Sequence, residues 1–250
     1  MTVLLPPLDS HAHVDTDIHP QALLALRAVV LVALRSQSDF DEVADRNDPL
    51  AVWGVGVHPG VSAAVDNFDA VHLRAQLERT PLLSEIGLDQ RSTASKAKQE
   101  RVFRSALLAH DDASCVASIH SAGRTSRVLE MIQEHRCSTM ILHWWNGSAD
   151  ETQRAIELGC YFSVNERNLR SPSVRRIPID RVLPETDHPY GDSGSDAQPG
   201  KVDAVESAFE DNPAEFRWQV WRNLGRLFDN AEATDRLPSK VRGLLAAACP

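Results

Sequence analysis

Eight short apolar runs, separated by stretches with helical spacing, constrain this chain more than any other feature of its sequence. The runs are Val3–Leu8, Val29–Ala33, Ala51–Val57, Leu82–Ile86, Cys115–Ile119, Met140–Leu142, Tyr161–Val164 and Arg181–Leu183. Each is of strand length and reads as a buried strand. Pro6 and Pro7 make the first the least regular, because proline cannot donate to a ladder. Between runs lie stretches with helical spacing, such as Phe68–Arg79 (Phe68, Val71, Leu73, Leu77) and Lys98–His110 (Val102, Phe103, Ala106, Leu107). Such alternation predicts a parallel sheet in an α/β fold. Eight units close naturally into a (β/α)₈ TIM-type barrel, with an open doubly wound sheet as the alternative. The 250 residues suit a single barrel domain over 1–250. The texture changes near Asp192: Gly191 to Gly200 reads as a loop over the mouth, and closing helices are expected over about 202–250, near Val202–Glu210 and Ala214–Phe228.

Bulk properties narrow the setting. No stretch reaches the roughly 20 apolar residues of a membrane span, and the N-terminus lacks a basic start with a long apolar run. No membrane partner is therefore expected, and a cytoplasmic location is. Cys115, Cys137, Cys160 and Cys249 show no paired metal spacing and are too sparse for a disulfide scaffold, which agrees with a reducing compartment. A net charge of -9 argues against a broad basic face that grips nucleic acid. Bound divalent cations would offset that repulsion locally.

The residues that carry chemistry follow the ends of the predicted strands. His11 and His13 come after the first, His58 after the third and Glu85 at the fourth; His120 ends the fifth, His143 ends the sixth, and Asp187 follows the eighth. In a barrel these ends converge on one face, so residues spread from 11 to 187 would meet in one cup. Asp9, His11 and His13 alternate along an extended segment and are expected to point to one side. Any single histidine reads more simply as a surface or packed side chain, and His72, His110 and His135, inside predicted helices, are read that way. Six ionisable groups gathered at strand ends are costly to bury without a cation. His11, His13, Glu85, His120, His143 and Asp187 are therefore expected to bind metal, and the imidazole content favours Zn²⁺ or Mn²⁺ over ions that prefer all-oxygen sites.

These motifs resemble the TatD-like deoxyribonucleases of the metal-dependent amidohydrolase superfamily. The resemblance runs from Asp9 to about Phe228. It is carried by Asp-Ser-His-Ala-His at 9–13, Gly-Val-His-Pro at 56–59, Ser-Glu-Ile-Gly-Leu-Asp at 84–89, Ile-His-Ser at 119–121, Leu-His-Trp-Trp-Asn-Gly-Ser at 142–148 and Glu-Thr-Asp-His-Pro at 185–189. It implies the barrel, and a site of two divalent ions (Zn, Mn or Mg). By resemblance, His11, His13 and Asp187 hold one ion, His120 and His143 the other, and Glu85 bridges both. His58 lies beside substrate, and Asp89 supports the site as a hydrogen-bond acceptor. The chain departs from the family pattern at Ser84 (usually glycine), Ala122 (usually arginine), Trp144–Trp145 (usually Cys-Phe) and the shortened segment Asp192–Lys201. The Trp-containing motif and Leu-Gly-Cys-Tyr-Phe-Ser at 158–163 resemble TatD-like proteins of bacterial antiphage clusters, which implies protein partners in a defence complex.

The expected reaction is hydrolysis of a phosphodiester by a metal-activated water, acting from single-stranded DNA ends. Asp187 and Glu85 are the expected catalytic residues, with Asp187 accepting the water's proton. Arg167 and Arg170, in a loop that also holds Arg175 and Arg176, are expected to meet phosphate unless they form a solvated face. One of Trp144 and Trp145 is expected to stack a base and the other to pack into the rim. Two further readings use the same ligands: an amidohydrolase of a small cyclic amide or ester, and a subunit that keeps its metals for assembly.

Overall fold

The β-branched run Val29–Ala33 is buried along its whole length, as a strand covered on both faces must be. It is β2 of eight strands in a computed structural model that describes residues 4–191, 197–209 and 212–249. The others are β1 (Leu8–Ala12), β3 (Ala51–Gly54), β4 (Leu82–Gly87), β5 (Val116–His120), β6 (Met140–Leu142), β7 (Tyr161–Val164) and β8 (Val182–Pro184). All pair in parallel and in chain order, as β1-β2-β3 and β4-β5-β6-β7-β8. A bridge between Val55 and Leu83 joins the two groups. On the other side, Asp187 N–H donates to His11 O at 2.8 Å and His13 N–H to His188 O at 3.0 Å, which brings the chain after β8 against β1. The fold is of the α/β barrel type.

Helices cover the strands from outside: α1 (Pro20–Ala25), α2 (Gln37–Val43), α3 (Ser62–Asp66), α4 (Ala70–Leu77), α5 (Lys96–Asp111), α6 (Thr125–His135) and α7 (Ala149–Glu157). α8 (Asp203–Phe209), α9 (Pro213–Asn230) and α10 (Ser239–Ala248) follow the last strand. Local chemistry sets several starts. Ser95 caps α5 by accepting from Lys98 N–H, and Ser148 with Glu151 forms a reciprocal capping box on α7. α4 begins at Ala70 rather than at Phe68, because Asp69 accepts from the N–H groups of Val71 and His72. α9 seals the β8–β1 side: Trp221 donates to Pro6 O at 2.9 Å and buried Asn223 to Val182 O at 2.8 Å. No described helix is long and apolar enough to cross a membrane.

The first strand is displaced from its expected place. It spans Leu8–Ala12 rather than Val3–Leu8, whose residue 3 lies outside the described residues. Pro6 and Pro7 offer no ladder donor, and pairing begins at Leu8 opposite Val29. His11 is thus inside the strand rather than after it. The expected loop from 191 to 200 includes residues 192–196, which lie outside the described residues, as do 210 and 211.

A close approach of β2, β3 and β4 fixes where Glu85 sits. A Cβ added at Gly56 would lie 2.0 Å from Leu34 O, 2.2 Å from Ser84 O and 2.3 Å from Glu85 N, all backbone atoms that cannot swing aside. Gly56→Ala is expected to cost about 3 kcal/mol, read from urea or guanidinium midpoints. Gly243, inside α10 with nothing within 4 Å of an added Cβ, is the contrast. Gly243→Ala should gain up to about 1 kcal/mol of stability. A Gly56→Ala protein as stable as wild type would show that this approach does not constrain the barrel.

Candidate metal centre

Strand ends deliver the polar groups to one cup. His11 lies on β1 and His13 one residue beyond it; Glu85 is inside β4, His120 closes β5, and His143 follows β6 directly. His58 follows β3 by way of Val55–Val57, and Asp187 follows β8 in a left-handed backbone conformation (φ 47°). Gly87 (φ 140°) permits the β4–β5 contact, since a Cβ there would sit 2.0 Å from His120 O.

The Glu85 carboxylate is wholly buried, and its two oxygens face different histidines. Oε2 lies 3.6 Å from His11 Nε2, 3.6 Å from His13 Nε2 and 3.4 Å from His58 Nε2. Oε1 lies 2.5 Å from His120 Nδ1 and 2.8 Å from His143 Nε2. Asp187 Oδ1 completes the first group, 3.7 Å from His11 Nε2 and 3.4 Å from His13 Nε2. All six expected metal-binding residues are therefore together, and His58 lies beside them as a seventh group.

Outer hydrogen bonds set which nitrogen each ring presents. His13 Nδ1–H donates to Ala33 O at 2.7 Å, so the lone pair lies on Nε2, toward Glu85 and Asp187. His120 faces Asp89 Oδ2 with Nε2 at 3.1 Å, which leaves Nδ1 toward Glu85. Asp89 also accepts from Arg91 N–H through its other oxygen, so it both supports His120 and caps its loop. His11 Nδ1 meets Ser118 Oγ at 2.8 Å. His11 Nε2, Glu85 Oε2, His143 Nδ1 and Asp187 Oδ1 are buried with no hydrogen-bond partner among the described residues.

The electrostatics are those of a site built around positive charge. Burial would raise the Glu85 pKa, but His58, His143 and His120 hold it well below the carboxylate range. Burial lowers His11 and His58 to about 4. It acts the same way on His120, where Glu85 and Asp89 outweigh it and push the ring up to about 10. These directions describe the protein without ions, and bound cations invert this logic.

Asp9 does not point at the cup with His11 and His13, contrary to the simple alternation. Its carboxylate accepts from Thr186 N–H (2.9 Å), Thr186 Oγ (2.6 Å) and Gly200 N–H (2.8 Å), and so ties β1 to the segments flanking Asp187 and the following loop. The register shift between Asp9 and Ala12 accounts for the broken alternation. Glu185, which lies in the 185–189 motif, was given no role by the sequence. It is buried, accepts from Trp144 N–H (2.8 Å), Asn165 Nδ2 (3.0 Å) and Ser163 Oγ, and lies 3.8 Å from His143 Nδ1. Burial raises its pKa to about 8.

A cavity of about 630 Å³ opens over this cluster, lined by His13, His58, Trp144, Arg35, Arg91 and Tyr190 among others. Trp144 lines it, whereas Trp145 is fully buried and donates to Thr152 Oγ at 3.0 Å. Arg167 and Arg170 are exposed and are not among the lining residues. The turn that carries them is held by Asn165 and Asn168, which bond each other and anchor to Glu185 and Trp145. The cations that do line the cavity are Arg35 and Arg91. Arg35 donates to the Tyr190 hydroxyl and lies 4.8 Å from its ring centroid. The strand-end pattern that singles out the histidines also reaches Arg35, two residues past β2.

Comparison with known proteins gives a consistent result. The sequence model of the family described as TatD related DNase matches residues 8–229. The chain is 28% identical over 149 residues to the 3'-5' ssDNA/RNA exonuclease TatD of Dickeya dadantii, covering 54% of this chain and 56% of that protein. It is 27% identical over 147 residues to the metal-dependent hydrolase YabD of Bacillus subtilis, covering 54% and 58%. The chain thus spans about half the length of the curated relatives it matches. In structure it is similar to YJJV, a TatD homologue of Escherichia coli K12 (TM-score 0.76, 18% identity, 91% of this chain and 99% of that one). A TatD family hydrolase of Entamoeba histolytica gives a TM-score of 0.73 at 17% identity, covering 90% and 99%.

The depressed histidines set an acid limit on the ion-free protein. His11 and His58 have folded-state pKa values of about 4 against an ordinary 6.5. Between those values the unfolded chain binds more protons, so their contribution to stability is lost as pH falls from about 6.5 to about 4. Glu185 and Asp9, raised by burial to about 8 and about 6, act in the opposite direction, so the loss is read by difference: in urea unfolding of chelator-treated protein, wild type should lose stability relative to His58→Gln as pH falls across this range. An unchanged slope in the variant would mean that His58 is not held neutral.

Proposed function

The chain belongs to the family of TatD-related DNases, and from that premise we propose that it is a metal-dependent nuclease acting on the ends of single-stranded DNA. The observation that carries this reading is the spacing of four ligand atoms. The two imidazole nitrogens of His11 and His13 stand 3.4–3.7 Å from Glu85 Oε2 and Asp187 Oδ1. Donors at about 2.0–2.2 Å from a shared tetrahedral ion are separated by about 3.3–3.6 Å. Three of these atoms are buried without a hydrogen-bond partner among the described residues, as donors awaiting a cation are. The donor set fits Zn²⁺ or Mn²⁺, with Mg²⁺ the less suited to imidazole.

In this reading His11, His13 and Asp187 would hold one ion and His120 and His143 a second, with the Glu85 carboxylate serving both. The bound ions would polarise a phosphoryl oxygen and make hydroxide accessible near neutral pH. Asp187, held low in pKa by His13, His143 and His11 against its burial, takes the proton of the attacking water and returns it to the leaving oxygen. Its backbone, bonded to His11 O, fixes its distance from β1. His58 lies against the substrate side of Glu85. Arg35, steadied by Tyr190, and Arg91 meet the phosphates within the cavity, in preference to Arg167 and Arg170 on the outer loop. Trp144 stacks the terminal base.

A cup closed at its base receives the end of a strand, which favours exonucleolytic attack. The relative from Dickeya dadantii, a 3'-5' ssDNA/RNA exonuclease, suggests the 3' end. Free thiols at Cys115, Cys137 and Cys160 support a cytoplasmic setting.

Cleavage of 5'-labelled single-stranded oligonucleotides with Mn²⁺ or Zn²⁺ should give a ladder shortened from the 3' end and abolished by chelation. Asp187→Asn should lower kcat about 10²- to 10⁴-fold while ion binding through the other donors persists. Trp144→Ala should raise KM about tenfold with a smaller change in kcat. No cleavage by folded protein carrying two ions would overturn the nuclease reading and favour a small cyclic amide or ester as substrate.

A further inference from the structure

A second group of donors lies at the opposite end of the barrel from the cup. Asp111 ends α5 and His110 precedes it; Cys137 follows α6, and Thr139 immediately precedes β6. The strands are parallel, so residues that precede β5 and β6 lie at the end away from His120 and His143. Ligand atoms of His110, Asp111 and Cys137 all lie within 4.8 Å of one another. Cys137 Sγ is 3.3 Å from Asp111 Oδ1, and His110 Nδ1 is 3.5 Å from the same oxygen.

Proton accounting around His110 shows what this cluster lacks. Thr139 Oγ has one proton and faces two carbonyl acceptors, Cys115 O at 3.2 Å and Ser138 O at 2.6 Å. It therefore accepts from His110 Nε2–H at 3.0 Å. That bond fixes the neutral tautomer and leaves the lone pair on Nδ1. Burial lowers the pKa of the ring against the pull of Asp111, which keeps it neutral. The Nδ1 atom is buried with no hydrogen-bond partner among the described residues, and its side chain is 6% exposed. A buried lone pair thus points at a carboxylate oxygen, with a thiol on the other side. The Cys137 S–H donates to that same oxygen in the ion-free protein, and a cation in place of the thiol proton would take donors from all three and give the His110 nitrogen its partner.

We propose that His110, Asp111 and Cys137 form a further site for a zinc-class divalent cation. The donors are one imidazole, one carboxylate and one thiolate, a mixture that selects Zn²⁺ or Co²⁺ over Mg²⁺ or Ca²⁺. On binding, the Cys137 S–H bond breaks and its proton leaves to solvent, one per ion, as the sulfur lone pair bonds the metal. Asp111 is 37% exposed on its side chain and provides the way in, while water completes the coordination. The ion ties the end of α5 to the turn that leads into β6, the strand that carries His143. Burial pushes the thiol pKa up in the ion-free protein, so occupancy rises with pH.

Titration with Co²⁺ tests this without any assay of activity, because the cup contains no cysteine. Binding at the new site should produce a thiolate-to-cobalt charge-transfer band in the near ultraviolet, reaching one thiolate ligand per chain. Cys137→Ser should abolish the band while leaving the visible bands of cobalt in the cup. Asp111→Asn, at a half-exposed position that should not disturb folding, should weaken the affinity read from the band about tenfold or more. Two results would overturn the proposal: no such band from folded wild-type protein at saturating Co²⁺, or a band that persists in Cys137→Ser.

Discussion

A single buried carboxylate organises the mouth of this barrel. Glu85 has no exposure to water, and five imidazoles surround it. Burying a charged group is costly unless it is paired. Four different strand ends contribute those rings, so the register of the strands sets the electrostatic balance. The groups one step further out then make sense: Ala33 O, Ser118 and Asp89 each hold the outer nitrogen of a ring, so that its other nitrogen faces inward. Even the glycines at 56 and 87 belong to this requirement, because they bring neighbouring backbones close enough for the rings to reach.

The two ends of the same strands serve different ends. At the mouth, the groups are aimed into a cavity and several lack hydrogen-bond partners. At the base, most polar groups are satisfied internally: Thr80 donates to Trp53 O, and Arg236 donates to Leu77 O and Thr80 O. Chemistry at the C-terminal face and stability at the N-terminal face is the usual division in barrels. The His110, Asp111 and Cys137 cluster is the exception at the base, since its unpartnered nitrogen resembles those of the mouth.

Much of this was legible in the sequence because it depends on local burial. Val29–Ala33, Met140–Leu142 and Tyr161–Val164 are apolar and covered on both faces, and their bounds follow directly. β1 was misplaced for the opposite reason. Its Asp9, Ser10 and His11 are polar, and they are buried only because Thr186, Gly200, Pro184 and Ser118 satisfy them from more than 100 residues away. Histidines at strand ends could be found because so few other roles suit them there. Arg35 stands near a strand end as well, but an arginine there has many solvated roles, and Tyr190 lies six residues past β8; each nevertheless reaches the cavity. Arg167 and Arg170 looked favourable from their place after β7, but the asparagine-held turn carries them away from the lining.

The Asp9 clasp has a consequence for when the protein acquires its chemistry. It joins β1 to Thr186 and Gly200, 177 and 191 residues further along the chain, and the same seam brings His11 and His13 against Asp187. A fragment ending just before residue 182 contains the two histidines and Glu85 but neither Asp187 nor β8, the strand that leads to it. The full set of groups in the cup therefore comes together only when the last strand returns to the first.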